Sequence, residues 1–356
     1  MSVTLGVAVL SSGCARAVNL LHMDGPSFAG AYAPPPAVAP AASAVPLRVV
    51  TFNIKEAREI ERAITVLRSD SVRSADIVAL QEMDERGADR IARALGLNYA
   101  YYPAIIHHRT RGYYGPAILT RWPIERSWKV LLPHGSWDRG LRRTATAAVV
   151  RANGLRILVY AVHLETVVKL SPAKRAEQAL AVAQDASWFS GPVVIAGDFN
   201  DSGMAARLRR EGYTWMTEWV GATHTFFSLD HILARGLAPA ESRSAGVVRD
   251  VRGASDHHPV WAVLVPARSI ASSAREGALS KGHAKPELKE GRDHVVERAG
   301  RGVDRRGGNH DARHAGSEMD SPRDPDVVSQ PEHDAEPGFR RSHGSSLEIE
   351  DVPEPR

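Results

Sequence analysis

The chemistry-bearing residues of this chain stand where apolar runs stop. Val-Val-Thr-Phe-Asn ends on Asn53, Asp-Ile-Val-Ala-Leu-Gln-Glu on Glu82, and Val-Tyr-Ala-Val-His on His163. Val-Val-Ile-Ala-Gly-Asp-Phe-Asn delivers Asp198 and Asn200, Leu-Asp-His-Ile-Leu delivers Asp230, and Ser-Asp-His-His-Pro delivers Asp256 and His257 just before a further apolar run. Carboxylates and amides are the ligands a hard cation such as Mg²⁺ or Mn²⁺ takes, and Mg²⁺ uses only one or two carboxylates plus water. A catalytic imidazole needs a partner to fix its tautomer and raise its basicity, and Asp230 is the candidate partner of His257. Asp198 can orient a water or accept its proton, and Asn200, two residues on, can project on the same side and hold a phosphate oxygen. His163 can donate to a phosphate oxygen or a leaving group, and Arg143, with Arg142 beside it, can clamp phosphate bidentately.

Each residue taken alone has a structural alternative. Asp198 and Asn200 could form an Asx-turn, Glu82 could cap the next helix, His163 could be a satisfied core histidine, and Arg142 and Arg143 could be a solvated loop pair. The conjunction, with every motif beside a strand, favours a common site.

The elements that must position these groups follow from patterning. Residues 47–52, 76–80, 117–120, 146–150, 156–163, 193–196, 230–233, 245–248 and 259–265 read as strands from their β-branched and apolar content. Asn153-Gly154 between two of them is a hairpin signal. Residues 57–67 and 88–95 have apolar residues at helical spacing, the second closed by Gly96, and Ser171-Pro172 opens a helix running to Trp188. Hairpins mixed with helical crossovers imply an α/β chain with two sheets packed face to face and helices outside.

At this level of detail the chain resembles the endonuclease/exonuclease/phosphatase superfamily, over residues 46 to about 265. The resemblance implies a four-layer α/β/β/α sandwich of the DNase I-like kind and metal-dependent hydrolysis of a phosphoester, with a phosphodiester favoured. The substrate would be nucleic acid or a phospholipid head group. A phosphomonoesterase, or a non-catalytic surface-exposed binding domain, are the alternatives. Position by position it implies a metal site at Asn53, Glu82 and Asp256, water activation by Asp198 with Asn200 on the phosphate, and a phosphate-binding histidine at His163. His257 is then the C-terminal catalytic histidine and Asp230 its partner. One departure is Pro116, where the family stretch usually carries Asn. Another is the short stretch between Asp201 and Asp230, which implies an open, shallow site.

The 356 residues and 43% hydrophobic content allow a sizeable core, and all seven Trp lie between Trp122 and Trp261, which points to the core being there. A formal net charge of +4 suits an anionic substrate without demanding one. The single cysteine, Cys14, excludes an intramolecular disulfide. It follows the apolar segment 3–10 and Ser-Ser-Gly, which resembles a bacterial lipoprotein signal and implies export with a lipid anchor at Cys14; a mis-assigned start would instead leave the chain cytoplasmic. Residues 1–18 are thus expected to be a signal, 19–45 a Pro/Ala-rich tether, 46–266 the folded domain and 267–356 a charged, disordered tail. No run is apolar and long enough to span a membrane, and a monomer is expected.

Overall fold

The structure is a computed structural model and describes residues 18–35, 46–152 and 154–267. The expected signal and Cys14, most of the second half of the tether, Asn153 and the charged tail lie outside those residues.

The strands are β1 (Val18–Asn19), β2 (Phe28–Gly30), β3 (Leu47–Asn53), β4 (Ile77–Met83), β5 (Asn98–Tyr101), β6 (Ile105–Ile106), β7 (Tyr113–Thr120) and β8 (Ile124–Gly135). They continue with β9 (Arg142–Ala152), β10 (Leu155–His163), β11 (Val193–Asp198), β12 (Thr214–Trp215), β13 (Asp230–Arg235), β14 (Leu237–Pro239), β15 (Ala245–Val247) and β16 (Val260–Pro266). The helices are α1 (Ile60–Leu67), α2 (Glu85–Leu95), α3 (Pro172–Asp185) and α4 (Ser202–Arg210).

Among the described residues one sheet runs β1-β6-β7-β4-β3-β16-β14, with β15 on β16 and the β2–β5 pair on β7, and the other runs β12-β13-β11-β10-β9-β8. Period-2 alternation makes each sheet two-faced. Leu47, Val49, Ile77 and Ala79 from the first sheet meet Val159, Ala161, Val194, Ala196 and Ile232 from the second in a central core. The opposite face of the first sheet packs under α1 and α2, and that of the second under α3 and α4. The four-layer α/β/β/α order is therefore that of a DNase I-like sandwich.

The helix ends are set by local chemistry. Asp84 caps α2 by accepting from the Gly87 N–H at 2.6 Å, Gly96 closes it at φ 64°, and Ser171 caps α3 with Pro172 in its first turn.

The structure corrects two expectations. Residues 18–35 are not a free tether. β1 pairs with β6 and β2 with β5, and the fully buried Lys129 donates its ammonium to the carbonyls of Leu20, His22 and Gly25 at 2.9, 3.1 and 3.0 Å. Pro and Gly content marks an irregular path there, and three carbonyls turned on one cation fix it. The tryptophans do not mark the core, because Trp137, Trp188 and Trp219 are more than half exposed. The short stretch between Asp201 and Asp230 holds α4, β12 and a turn at residues 224–227.

Candidate functional site

Strand register assembles the site. β10 and β11 are parallel with His163 beside Asp198, and β11 and β13 are antiparallel with Asp198 beside Asp230. Asp198 continues the Val194–Ala196 parity, Asp230 that of Ile232–Ala234, His163 that of Val159–Ala161 and Asn53 that of Leu47–Val49, all of which face the central core. The four polar groups therefore close one end of the inter-sheet space. Gly197 lets the strands come this close: a Cβ there would lie 2.0 Å from the Val162 carbonyl oxygen.

Glu82 is out of phase with that pattern. Ile77 and Ala79 face the central core, while Val78 and Leu80 face α1 and α2, so an even-numbered residue of a regular β4 would point to the helices. A bulge between Leu80 and Met83, with Glu82 at φ 62°, corrects this. Pro116 lies opposite the bulge, between Gly115 and Ala117 of β7, and has no N–H to leave unpaired there. The re-aimed carboxylate accepts from Asn53 Nδ2 at 3.2 Å and from the Glu56 N–H at 2.8 Å.

Asn53 links this carboxylate to the second sheet, since Nδ2 also donates to Asp198 Oδ2 at 3.0 Å. His257 Nδ1 pairs with Asp230 Oδ2 at 2.8 Å, and its Nε2 lies 3.8 Å from Asp198 Oδ2. His163 Nε2 lies 3.5 Å from the same oxygen. Thr223, which stands in no motif of the sequence, donates to Asp230 Oδ2 at 2.7 Å. Asp256 is tethered to β3 through Ser255, whose hydroxyl donates to the Asn53 carbonyl at 2.7 Å, but its half-exposed carboxylate is ion-paired with Lys55 at 3.0 Å.

Two expected phosphate contacts are otherwise engaged. Arg143 is buried and holds Glu165 with two nitrogens, Nε at 3.3 Å and Nη2 at 3.2 Å, while Nη1 lies 3.2 Å from His163 Nδ1. It is a positioning residue and not an open clamp. Because guanidinium only donates, His163 Nδ1 accepts, and the ring carries its proton on Nε2, facing Asp198. Asn200, at φ 54°, gives its backbone N–H to Asp198 Oδ1 at 2.8 Å and its side-chain Nδ2 to the Leu164 carbonyl at 2.9 Å. That is the Asx-turn alternative, and it orients Asp198.

Burial sets the charge states. It pushes the Asp198 carboxyl up, to about 7, against the pull of His257 and with the help of Asp230. Burial opposes the His257 cation, but Asp230 and Asp198 outweigh it and raise the imidazole to about 10. Burial, then Arg143 and His257, hold His163 well below its ordinary range, so it is neutral. Tyr114, another residue without a sequence signal, is buried next to Glu82 and Arg143, and burial followed by Glu82 raises its phenol far above the usual value.

Asp198, Asp230 and His257 bring ligand-type atoms within 4.8 Å of one another, as do His224, Asp256 and His257. The first knot holds two buried carboxylates and one imidazolium, and Asp230 Oδ1 is buried with no hydrogen-bond partner among the described residues. Glu82 and Asn53 add oxygen donors beside it. An oxygen-rich set with an unsatisfied carboxylate oxygen and surplus negative charge fits a hard divalent cation.

A family model described as the Endonuclease/Exonuclease/phosphatase family matches residues 50–257, more than half of the chain. The chain belongs to this family. Its members are generally hydrolases acting on phosphoesters and generally use divalent metals. A search of curated proteins returns no match. Among solved structures, an endonuclease/exonuclease/phosphatase from Bacteroides vulgatus is 19% identical with a TM-score of 0.51, covering 62% of this chain and 99% of that one. A family protein from Bacteroides thetaiotaomicron is 21% identical with a TM-score of 0.50, covering 62% and 98%. These likenesses bear on the fold. No helix among the described residues is long and apolar enough to cross a membrane.

Proposed function

We propose that this chain is a divalent-metal-dependent phosphodiesterase that uses water as nucleophile. The observation that carries the reading is the buried knot in which the register of three adjacent strands aligns His163, Asp198 and Asp230, His257 from the segment before β16 pairs with Asp230, and Asn53 joins the knot to Glu82.

Asp198 is the water-orienting group. Its two oxygens are fixed by the Asn200 N–H and the Asn53 amide, and its raised affinity for a proton suits a base working near neutrality. His257, cationic and held by Asp230, faces Asp198 and can stabilise charge on the phosphoryl oxygens during in-line attack. His163, neutral and with its proton on Nε2, is a second donor to a phosphoryl oxygen. Glu82 and Asn53, with Asp256 as a further carboxylate, would hold the cation, Mg²⁺ or Mn²⁺. When bound, the cation polarises a phosphoryl oxygen and offsets charge on the leaving alkoxide.

The test is hydrolysis of bis-(p-nitrophenyl) phosphate with Mg²⁺ or Mn²⁺, with and without chelator, alongside plasmid DNA, sphingomyelin and a phosphomonoester. Chelator-sensitive turnover of the diester supports the reading; turnover of the monoester alone, or none, rejects it.

A further inference from the structure

Beside the site edge the molecule shows large apolar side chains to solvent. Trp137 is 79% exposed, Val168 74% and Val167 55%. They come from two connections that leave the site end of the second sheet: Val167 and Val168 follow His163 by a few residues, and Trp137 lies in the link between β8 and Arg143 of β9. The display is built and not frayed. The Trp137 indole N–H donates to the Val168 carbonyl at 2.9 Å, and the Trp137 backbone N–H donates to the Lys169 carbonyl at 3.2 Å. Two loops are thus laced so that their apolar side chains point outward, at a cost in exposure that folding alone does not explain.

The rim of this patch is basic. Arg139 has no ion-pair partner among the described residues, and Lys169 shares only Asp138, at 3.3 Å. Arg139 and Lys169 stand close in the chain to Trp137 and Val168, whereas Arg109 is ion-paired with Glu56. The described chain also begins there. Val18 is half exposed, and Asn19 donates to the Gly140 carbonyl at 2.9 Å and accepts from the Arg142 N–H at 2.7 Å.

An indole with two aliphatic side chains, flanked in the chain by Arg139 and Lys169, matches the boundary of an anionic phospholipid bilayer: the apolar groups reach the acyl region while the cations meet head-group phosphates. We propose that the Trp137–Val167–Val168 patch docks the protein on an anionic lipid surface, with Arg139 and Lys169 on the head groups, and so brings the site edge to the bilayer. This rests on the phosphodiesterase reading for its purpose, though not for its existence.

The test is partition of the full chain onto vesicles of phosphatidylcholine with or without phosphatidylglycerol, comparing wild type with Trp137→Ala, Val168→Ser and their combination. All carry the same N-terminal segment, so differences report the patch. Binding should favour the anionic vesicles, fall about tenfold with Trp137→Ala, and fall further in the double variant. Hydrolysis of the soluble diester should be unchanged, which also shows that the variants fold. Equal partition of wild type and double variant overturns the proposal. So does wild-type self-association that the double variant abolishes, which would assign the patch to a second copy, or loss of binding to DNA in place of vesicles. Absence of diester hydrolysis with patch-dependent vesicle binding would instead reject the phosphodiesterase reading and leave the surface assignment standing.

Discussion

At the residue scale the site is a set of mutually dependent hydrogen bonds, so single changes should separate chemistry from support. Arg143 and Glu165 form a buried, doubly bonded ion pair. Removing one partner strands the other, so Glu165→Ala should cost about 3–5 kcal/mol in urea unfolding. Glu82→Gln removes the charge and leaves one oxygen for two donors, so only one of the bonds from Asn53 Nδ2 and the Glu56 N–H can be kept. Its expected signature is a Mg²⁺ half-saturation point raised about tenfold, together with a lowered melting temperature for the lost bond. Most of these residues were legible because each follows an apolar run and carries a chemically specific group. Arg143 was not readable as the partner of Glu165, because nothing in Arg142-Arg143 tells which guanidinium will meet a carboxylate just past β10. The bond from the Asn200 side chain to the Leu164 carbonyl was not readable because it joins groups 36 residues apart. Glu82 was readable as a strand-ending carboxylate, but the bulge that re-aims it shows only when the parity of Ile77, Ala79 and Gln81 is compared with the sheet faces.

At the element scale, the close approach of β10 and β11 places His163 against Asp198. Gly197→Ala puts a Cβ against the Val162 backbone, so stability should fall by about 1–3 kcal/mol, toward the upper end because backbone cannot rotate away. Chemical denaturation would measure it. Lys129→Met removes the three bonds that hold residues 20–25, and hydrogen exchange should show protection lost over that segment ahead of the sheets. The strands with continuous apolar content were readable, as were the capped helices. β8 was not. It is the last strand of its sheet, with the exposed Glu125 and Arg126 along it and no clean alternation, in keeping with how sheet edges are kept polar. β1 and β2 were missed because short strands among prolines and glycines depend on tertiary pairing for their existence.

At the scale of the whole molecule, acid sensitivity follows from buried imidazoles. His231 packs against Phe199 and edge-on to Trp215, with ring centroids 5.7 and 4.9 Å away, and burial lowers its pKa from 6.5 to about 4. The unfolded chain takes up a proton below 6.5 that the folded chain refuses until about 4, so stability falls as pH drops through that window and then levels off. The loss from this residue should be about 3 kcal/mol, and His231→Phe should flatten the corresponding slope in melting temperature against pH. The layer order was foreseeable from hairpins mixed with crossovers, whereas the surface display of Trp137 was not, since tryptophan count speaks for a core. The central claim is that Asp198 and His257 act together on a phosphodiester. Its most direct test is metal-saturated kcat on bis-(p-nitrophenyl) phosphate for wild type, Asp198→Asn and His257→Gln. A fall of at least about 10²-fold in each variant, with folding intact, is the predicted result; full metal-dependent turnover by Asp198→Asn would contradict it.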